Sequence, residues 1–538
     1  MKRQAALQPG SQSPADRDYL FVCLIAAGIW LVNGLWLRMD SRPPVWDMAL
    51  HQNYALNYLL FLPGSDHPYW SFSGVYPPFV HLVIAVCWLL FGASTTAAAY
   101  ANLPATLILL WATYELASEL AGHSAGRWTC LVTALIPYLF WMSRETILDY
   151  WLTAWVLAGL VLLRKTHGFA ARRCSLIFGT VAALGLLTKW FFAVFIGFPV
   201  AYVFIRERVW KEGVRLTNFI GAALLSAVVA GFWYIPNLNL LIHYFPQNAL
   251  VGKLEGEPAA LSFQSLIYYV RLLEGYQLFG LLFVLLMVSC FQSLRRRLIR
   301  DAGFVGVTII GAWLTMTLIR TKDPRFTMPL LPLLALFIGA YLASLGQSRP
   351  AKVLRLSILG ILSLQVYMIN FGVRWLPERV VLLEGYQGSL RWDWNLYMQN
   401  YFGILGPPRD EDWRLQEILS GVRKDAIATG LRPNVGLVPD LPRFNVSSFN
   451  LYARLLKIPV GVGRLLLTTQ GLYPLEAIDY VVTVEGDQGM SWTTQENRKV
   501  NQLISGSKIF LLLQRFPLPN GDQAILYRVA RELPRRNQ

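Results

Sequence analysis

The sequence predicts a polytopic α-helical membrane protein with about eleven transmembrane helices, followed by a soluble α/β domain. The chain has 538 residues, of which 55% are hydrophobic and only 15% charged, whereas soluble domains usually carry about 25% charged residues. Long apolar segments recur between residues 19 and 371 and then stop. Composition and segment spacing together therefore predict a membrane region, 19–371, and an external domain, 372–538.

The net charge of +16 does not indicate nucleic-acid binding. Basic residues of membrane proteins collect in cytoplasmic loops and near anionic headgroups, and here they cluster between apolar segments. The cysteines stand singly, without the spacing of a metal site: Cys23, Cys87, Cys130, Cys174 and Cys290. The sequence predicts neither a disulfide nor structural zinc.

The first helix is expected at 19–39, behind a polar cytoplasmic tail, 1–18. It has no small-residue cleavage site, so we expect it to be retained. The segment 40–96 is predicted to be the first external loop, with interfacial helices. Its apolar run, 79–91, is shorter than the roughly 20 residues that a span needs, and we expect it to lie in the interface.

The remaining spans are expected at about 97–117, 128–143, 150–163, 174–188, 190–205, 216–235, 275–291, 303–319, 327–345 and 353–371. If 79–91 does not cross, the basic clusters all face the cytoplasm; they are Arg164, Lys165, Arg172 and Arg173; Arg206, Arg208, Lys211 and Arg215; Arg295, Arg296, Arg297 and Arg300; Arg349, Lys352 and Arg355. A crossing there would place these clusters outside. The charge rule therefore favours an interfacial run.

The external domain is predicted from frequent charges, Pro, Gly and Asn after residue 372. Helices are expected at 410–428 and 445–456, and strands at 435–439, 480–484, 509–512 and 524–528. An odd number of crossings places this domain outside the cytoplasm.

Candidate catalytic acids lie at the outer ends of spans. Asp47 follows Pro43-Pro44 and Trp46, and a partly shielded carboxylate there can act as a general base. Asp149 begins the next such segment, and two acids on one face can deprotonate or orient a hydroxyl. Each is equally placed to cap a helix. No cofactor is predicted, and no ligand spacing supports a divalent ion between the two acids.

Candidate cations lie on the same predicted face. The guanidinium of Arg325 is suited to a phosphate ester because its planar fork donates two parallel hydrogen bonds. Lys322 or Lys189 would add a point charge that stabilises a phosphate leaving group. The alternative is that these side chains reach the headgroups from helix ends. Acids beside cations indicate group transfer from a lipid phosphate.

These motifs, in this order, resemble the C-type glycosyltransferases, and more closely glycosyltransferase family 39, the protein O-mannosyltransferases and the aminoarabinose transferases of lipid A. The segments that carry the resemblance are Trp46-Asp47, Tyr76-Pro77-Pro78-Phe79, Leu90-Phe91-Gly92, Arg144 to Asp149, Gly185 to Lys189, and Lys322 to Pro332. The resemblance spans residues 19–345. It implies the fold of these enzymes, a polyprenyl-phosphate-linked sugar donor, inversion at the anomeric carbon and a non-cytoplasmic active site.

The resemblance also implies roles for individual residues. Asp47 and Asp149 match the catalytic acids of the first and second outer loops, and Lys189 and Arg325 match cations near the donor phosphate. The chain departs from the mannosyltransferases at Met48, where they have Glu, and at Val75-Tyr76, where they have His or Lys. The donor sugar and the acceptor therefore stay open, as does any site residue in the external domain.

The predicted function is transfer of a sugar from a polyprenyl-phosphate donor to a lipid, glycan or protein acceptor at the outer face of a bacterial inner membrane. A transporter or lipid flippase is the alternative, with the charged residues lining a pathway. The clustering of charges at one surface favours the enzyme. A non-catalytic scaffold would leave these outer charges without a role.

Overall fold

The computed structural model describes residues 14–61, 68–372, 380–385, 388–392, 406–469 and 471–530. Predictions on residues 1–13, and on the parts of 372–538 between these ranges, fall outside the described residues. The first part of the chain is helical: α1 Pro14–Met39, α2 Trp46–Phe61, α3 Phe79–Phe91, α4 Thr95–Tyr100, α5 Leu103–Ala121, α6 His123–Ala134, α7 Pro137–Met142, α8 Leu148–Lys165, α9 Arg172–Thr188, α10 Phe192–Arg206, α11 Gly213–Leu254, α12 Phe263–Leu272, α13 Phe279–Arg295, α14 Ala302–Leu318, α15 Leu331–Ser344 and α16 Arg349–Phe371.

Apolar helices long enough to cross a membrane confirm the predicted class. Within the described ranges, 5 helical stretches meet that standard by length and composition: Arg17–Met39, Gly213–Leu254, Phe263–Arg295, Pro324–Ser344 and Arg349–Phe371. Shorter apolar helices include Phe79–Phe91, Phe192–Arg206 and Ala302–Leu318. The protein is therefore a helical membrane protein, and the number of crossings stays a prediction.

Two of the predicted spans are each divided between two helices in the structure. The span 97–117 is divided between α4 and α5, and Pro104 stands in the first turn of α5. The span 128–143 is divided between α6 and α7, which begins at Pro137. Proline fits the first turn of a helix, and the extended backbone of Ile136 before Pro137 separates α7 from α6.

Helix α11 is much longer than the predicted 216–235 segment, with 42 residues. It continues through Pro236 and Pro246 to Leu254. Near its end, a Cβ on Gly252 would lie 2.8 Å from the Thr321 Cα, so only glycine allows this close approach. The Thr321 hydroxyl donates to the Asn248 carbonyl oxygen over 2.7 Å. These contacts hold the end of α11 against the segment that carries Lys322 and Arg325.

Three of the predicted cytoplasmic loops meet at one end of the helices. The Arg164 Nη1 lies 3.0 Å from Asp301 Oδ2 and the Arg206 Nη1 lies 2.7 Å from the same oxygen. The Lys165 ammonium pairs with Glu115 over 2.7 Å. The loops that carry Arg164, Arg206 and Asp301 therefore meet at one end of the helices, and the cytoplasmic position of that end stays a prediction.

The external domain has an α/β fold, which confirms the predicted class. Its elements are β1 Val380–Gly385, β2 Gly388–Trp392, α17 Leu415–Thr429, β3 Asn434–Leu437, α18 Val446–Leu455, β4 Gly461–Arg464, β5 Leu466–Thr468, β6 Gly471–Tyr473, β7 Tyr480–Glu485, α19 Ser491–Ser505, β8 Phe510–Pro517 and β9 Gln523–Val529. The main sheet has the order β4-β3-β7-β9-β8. β3 is parallel to β4 and β7, while β9 is antiparallel to β7 and β8.

Residues of β7 alternate between the two faces of this sheet. Val482 packs in the cluster that includes Ile418 of α17, whereas Val481 packs in the cluster that includes Val500 of α19. The two predicted helices and four predicted strands are all present. α19 was not predicted, because its sequence is polar except for a narrow stripe that includes Val500 and Ile504.

Candidate active site

A cavity of 940 Å³ brings together all five residues that the sequence singled out. Asp47 comes from α2, Asp149 from α8, and Lys189 from the turn between α9 and α10. Lys322 and Arg325 come from the segment between α14 and α15. These positions lie far apart in sequence, and the fold assembles them at one end of the helices.

Asp47 is the accessible acid of the cavity. It lies in the first turn of α2, which begins after Pro43-Pro44. Its Oδ2 accepts a hydrogen bond from Arg325 Nη1 over 2.9 Å, and its side chain is 39% exposed. The Arg325 Nη2 donates to Asp323 Oδ2 over 2.5 Å. Arg325 thus bridges two carboxylates at the cavity wall.

Asp149 and Lys189 form a buried ion pair. The Lys189 ammonium lies 2.8 and 3.0 Å from the two carboxylate oxygens, and the side chains are 7% and 1% exposed. The N-cap of α8 is Ile147, so Asp149 does not cap that helix. The rings of Phe191 and Phe326 lie 5.1 and 5.0 Å from the ammonium. Lys189 is therefore fixed inside the protein.

Lys322 lines the cavity but is engaged elsewhere. Its ammonium donates to the carbonyl oxygens of Met316, Thr317 and Ile319 over 3.0, 2.8 and 2.6 Å. These groups lie at the end of α14, whose last carbonyls lack helical partners. An ammonium has three donors, so all three are used. The geometry assigns Lys322 a capping role, and its predicted contact with a donor phosphate stays a prediction.

Glu257 is a cavity acid that the sequence reasoning missed. Burial, with Glu255 and Asp323 nearby, raises its pKa to about 8. Burial lowers the pKa of Lys322 to about 8, partly offset by Glu257. Glu257 lies in the loop after α11, where no sequence pattern distinguishes it from a solvated charge.

Aromatic side chains form another wall of the cavity. The ring of Tyr76 stacks on Trp190, with centroids 5.8 Å apart and planes 11° apart. The ring of Tyr244 lies edge-on to both. Such rings give a ligand pocket an apolar surface beside its few polar groups. Tyr76 precedes Pro77, at the point where this chain departs from the mannosyltransferase pattern. Its ring nevertheless lines the cavity.

The external domain closes one side of the cavity. The Trp46 Nε1 donates to Asp440 Oδ1 over 3.0 Å, and Asp440 pairs with Arg464 over 2.7 Å. The Arg443 Nη1 donates to the Pro43 carbonyl oxygen over 2.6 Å. Asp440 and Met490 line the cavity. The sequence identified no site residue in this domain, because contacts across nearly 400 positions leave no local pattern.

Arg144, in the predicted outer turn, lies outside the cavity. Its guanidinium stacks 4.1 Å from the Trp36 ring and donates to Asn370 Oδ1 over 2.9 Å. It therefore connects α1 and α16. Among the described residues, no group of three or more His, Cys, Asp or Glu is arranged to hold a metal ion.

Comparison with known proteins matches one segment of the chain to a protein family and nearly the whole chain to a known fold. The family model described as Dolichyl-phosphate-mannose-protein mannosyltransferase matches residues 75–235. The crystal structure of apo ArnT from Cupriavidus metallidurans aligns with a TM-score of 0.58 and 14% identity, covering 96% of this chain and 98% of that one. ArnT bound to undecaprenyl phosphate aligns with a TM-score of 0.56, 14% identity and the same coverage, 96% and 98%.

A more distant structure is the Archaeoglobus fulgidus oligosaccharyltransferase, with a TM-score of 0.44, 11% identity and coverage of 94% and 72%. No curated protein matches the sequence. The mannosyltransferase model confirms the resemblance that the sequence motifs indicated over residues 75–235. ArnT shares the fold along nearly the whole chain.

Proposed function

We propose that this protein is a membrane glycosyltransferase that moves a sugar from a polyprenyl-phosphate-linked donor to a lipid, glycan or protein acceptor. The observation that carries the proposal is the accessible Asp47 carboxylate, 2.9 Å from the Arg325 guanidinium in a cavity of 940 Å³. A base and a phosphate-binding cation thus lie side by side. The undecaprenyl phosphate bound to ArnT, which has the same fold, supports a polyprenyl phosphate as ligand.

In the proposed reaction the acceptor hydroxyl oxygen attacks the anomeric carbon of the donor sugar. The bond between that carbon and the phosphate oxygen breaks, and polyprenyl phosphate leaves with the electron pair. Asp47 accepts the hydroxyl proton. Arg325 and Lys189, which both line the cavity, stabilise the charge that develops on the departing phosphate.

Because Arg325 contacts both Asp47 and Asp323, binding of the donor phosphate to Arg325 would also affect Asp47. A phosphate that takes the guanidinium fork competes with the carboxylate of Asp47. Once released from Arg325, that carboxylate is free to accept a proton. Donor binding would therefore prepare the base for the acceptor.

The direct test is release of polyprenyl phosphate. Purified protein in lipid, supplied with a labelled lipid-linked sugar and a mixture of envelope acceptors, is expected to release polyprenyl phosphate as label enters the acceptor. Movement of intact donor across the bilayer without release would instead support the transporter alternative. The gathering of charges at one end of the helices disfavours that alternative.

Arg325→Lys is expected to reduce donor use by about 10- to 150-fold, the equivalent of one charge-assisted hydrogen bond. Lysine keeps the charge but loses the planar fork. The loss should appear in the dependence on donor concentration, with acceptor dependence less changed, and Arg325→Ala should be worse. Initial rates at varied donor, alongside thermal stability, measure this. Equal activity of Arg325→Lys and wild type would contradict a phosphate clamp.

We further propose the predicted topology: about eleven crossings, a cytoplasmic tail 1–18, a membrane region 19–371 with its first external loop at 40–96, and an external domain 372–538 on the periplasmic side of a bacterial inner membrane. Two observations support it. Arg164 and Arg206 share Asp301 at one end of the helices. At the other end, the external domain contacts Trp46, beside Asp47.

A reporter fused after Gln538 is expected to be silent if it works only in the cytoplasm. An odd number of crossings starting from a cytoplasmic tail leads to this result. The matched control is a fusion in the Arg164 loop, which should be active. Activity of the C-terminal fusion would contradict the crossing count and the outward orientation of the cavity.

A further inference from the structure

Two buried histidines lie directly behind the proposed catalytic acid. His51 is one turn after Asp47 on α2, and residues four apart share a helix face. Its Nδ1 lies 3.0 Å from the Nε2 of His81 on α3. The two residues are 2% and 0% exposed. Neither has a role in the reaction derived above, although His51 lines the cavity.

The His81 ring determines the tautomer of His51. The His81 Nδ1 is buried and has no hydrogen-bond partner in the described part of the chain. Burial, with His51 beside it, lowers the pKa of His81 well below its usual value. Burial, with the cations Arg325 and Lys189, lowers the pKa of His51 to about 3. Both rings are therefore neutral, and each has a single N–H.

Only two arrangements of these protons form the hydrogen bond. If His51 Nδ1 donates, the N–H of His81 lies on its buried Nδ1, where no acceptor is present, and orphaned buried N–H groups are rare. If His81 Nε2 donates, its Nδ1 keeps a lone pair and both rings have the Nε2–H tautomer, which neutral imidazole prefers. The second arrangement leaves His51 with its N–H on Nε2.

The Nε2 of His51 is available to a ligand. Within the described residues, the hydrogen bond of the His51 ring uses Nδ1, and Nε2 is not one of the fully buried atoms that lack a partner. The ring lies edge-on to Tyr76, with centroids 4.9 Å apart, on the aromatic wall of the cavity. Arg325 and Lys189 are close enough to act electrostatically on this ring.

We propose that His51 is a neutral hydrogen-bond donor to a phosphate oxygen of the lipid-linked substrate, and that His81 is the positioning residue that fixes its tautomer. The proposal rests on the proposed function. A neutral donor beside two cations adds a hydrogen bond to an anion without the repulsion of a third positive charge. It also places a phosphate oxygen beside Asp47, on the helix face that both residues share.

The test uses undecaprenyl phosphate as the probe, bound to the full-length protein in nanodiscs. His51→Phe keeps the ring volume but removes the donor, and should weaken binding by about 10- to 150-fold, as for a hydrogen bond to a charged group. His51→Gln places an amide N–H near the original donor and should recover most of the lost affinity. A merely structural role would give no such recovery. His243→Phe, at an exposed histidine that does not line the cavity, is the matched control.

Ring-nitrogen NMR of the protein, which has 6 histidines, tests the tautomer. The signals that His51→Gln and His81→Gln remove should each show a protonated Nε2 and a bare Nδ1. A bare Nε2 on His51, or wild-type affinity in His51→Phe, would overturn the inference alone. If the wild-type protein does not bind undecaprenyl phosphate, the proposed function fails as well, so the two failures are distinguishable.

Discussion

Asp47→Asn is expected to lose most of the sugar-transfer rate while keeping the fold and binding the donor at least as tightly, because a neutral amide competes less with the phosphate for Arg325. General base catalysis contributes about 10²–10⁴-fold to a rate, and asparagine cannot accept the proton. Its amide oxygen can still accept the hydrogen bond that Arg325 Nη1 now donates over 2.9 Å. The measurement is the transfer rate at saturating donor and acceptor, with thermal stability and undecaprenyl phosphate binding measured on the same preparation.

Asp323→Asn is the matched control, because Arg325 bridges the two carboxylates. Each substitution neutralises one partner of the same guanidinium. If Asp47 acts only through Arg325, the two variants should be impaired alike. If Asp47 is the base, Asp323→Asn should change donor affinity more than the rate at saturation, and only Asp47→Asn should lose the rate. A rate within a few-fold of wild type in Asp47→Asn would contradict its role as base.

The candidate site could be predicted as a set of residues, because the predicted topology brings them to one surface and the structure places them around one cavity. Positively charged loops determine which end of each span is predicted to face outward. That rule places Asp47, Asp149, Lys189 and Arg325 on the outer face. Their pairing was not predictable. Asp47 and Arg325 are 278 positions apart, and no periodicity along the chain reports which acid meets which cation. The sequence left helix capping open as an alternative for Asp149, whereas the structure buries it against Lys189.

The roles of Lys322 and His51 show two different limits of sequence reasoning. Lys322 has the same charge as the other candidate cations, Lys189 and Arg325, and only the positions of three carbonyl oxygens reveal that it caps α14. His51 did carry a signal, since it lies four residues after Asp47 on a predicted interfacial helix. The sequence did not indicate that His51 contacts His81, because His81 lies within the apolar segment 79–91 and nothing there distinguishes it.

The interruptions at Pro104 and Pro137 show why helix boundaries were less predictable than helical segments. Hydropathy averages over a window that is longer than the break, so a proline within an apolar run does not lower it. The local rule that the residue before proline avoids the helical region would have divided the span at Pro137, where Ile136 is extended. It would not have found the break before α5, because Leu103, which precedes Pro104, is helical. The turn before Pro137 matters for the site, because Tyr138 and Trp141 of α7 line the cavity.

Lys189→Met is expected to destabilise the protein by about 3–5 kcal/mol, because it leaves the Asp149 carboxylate buried without a counter-charge. The pair lies 2.8 Å apart with side chains that are 7% and 1% exposed, so water cannot replace the lost ammonium. Unfolding in a defined detergent measures the loss. Arg515→Met is the matched control: its pair with Glu485 is 47% and 57% exposed, and surface pairs contribute about 0–1 kcal/mol.

The double variant Asp149→Leu with Lys189→Met separates structure from function at the same pair. Replacing both members of a buried ion pair with apolar side chains of similar size is often neutral or stabilising, so the double variant should recover most of the stability that Lys189→Met loses. It should not recover transfer, because the proposed leaving phosphate needs the Lys189 charge close to Arg325. A double variant that is both stable and active would show that the pair only holds α8 against the α9–α10 turn.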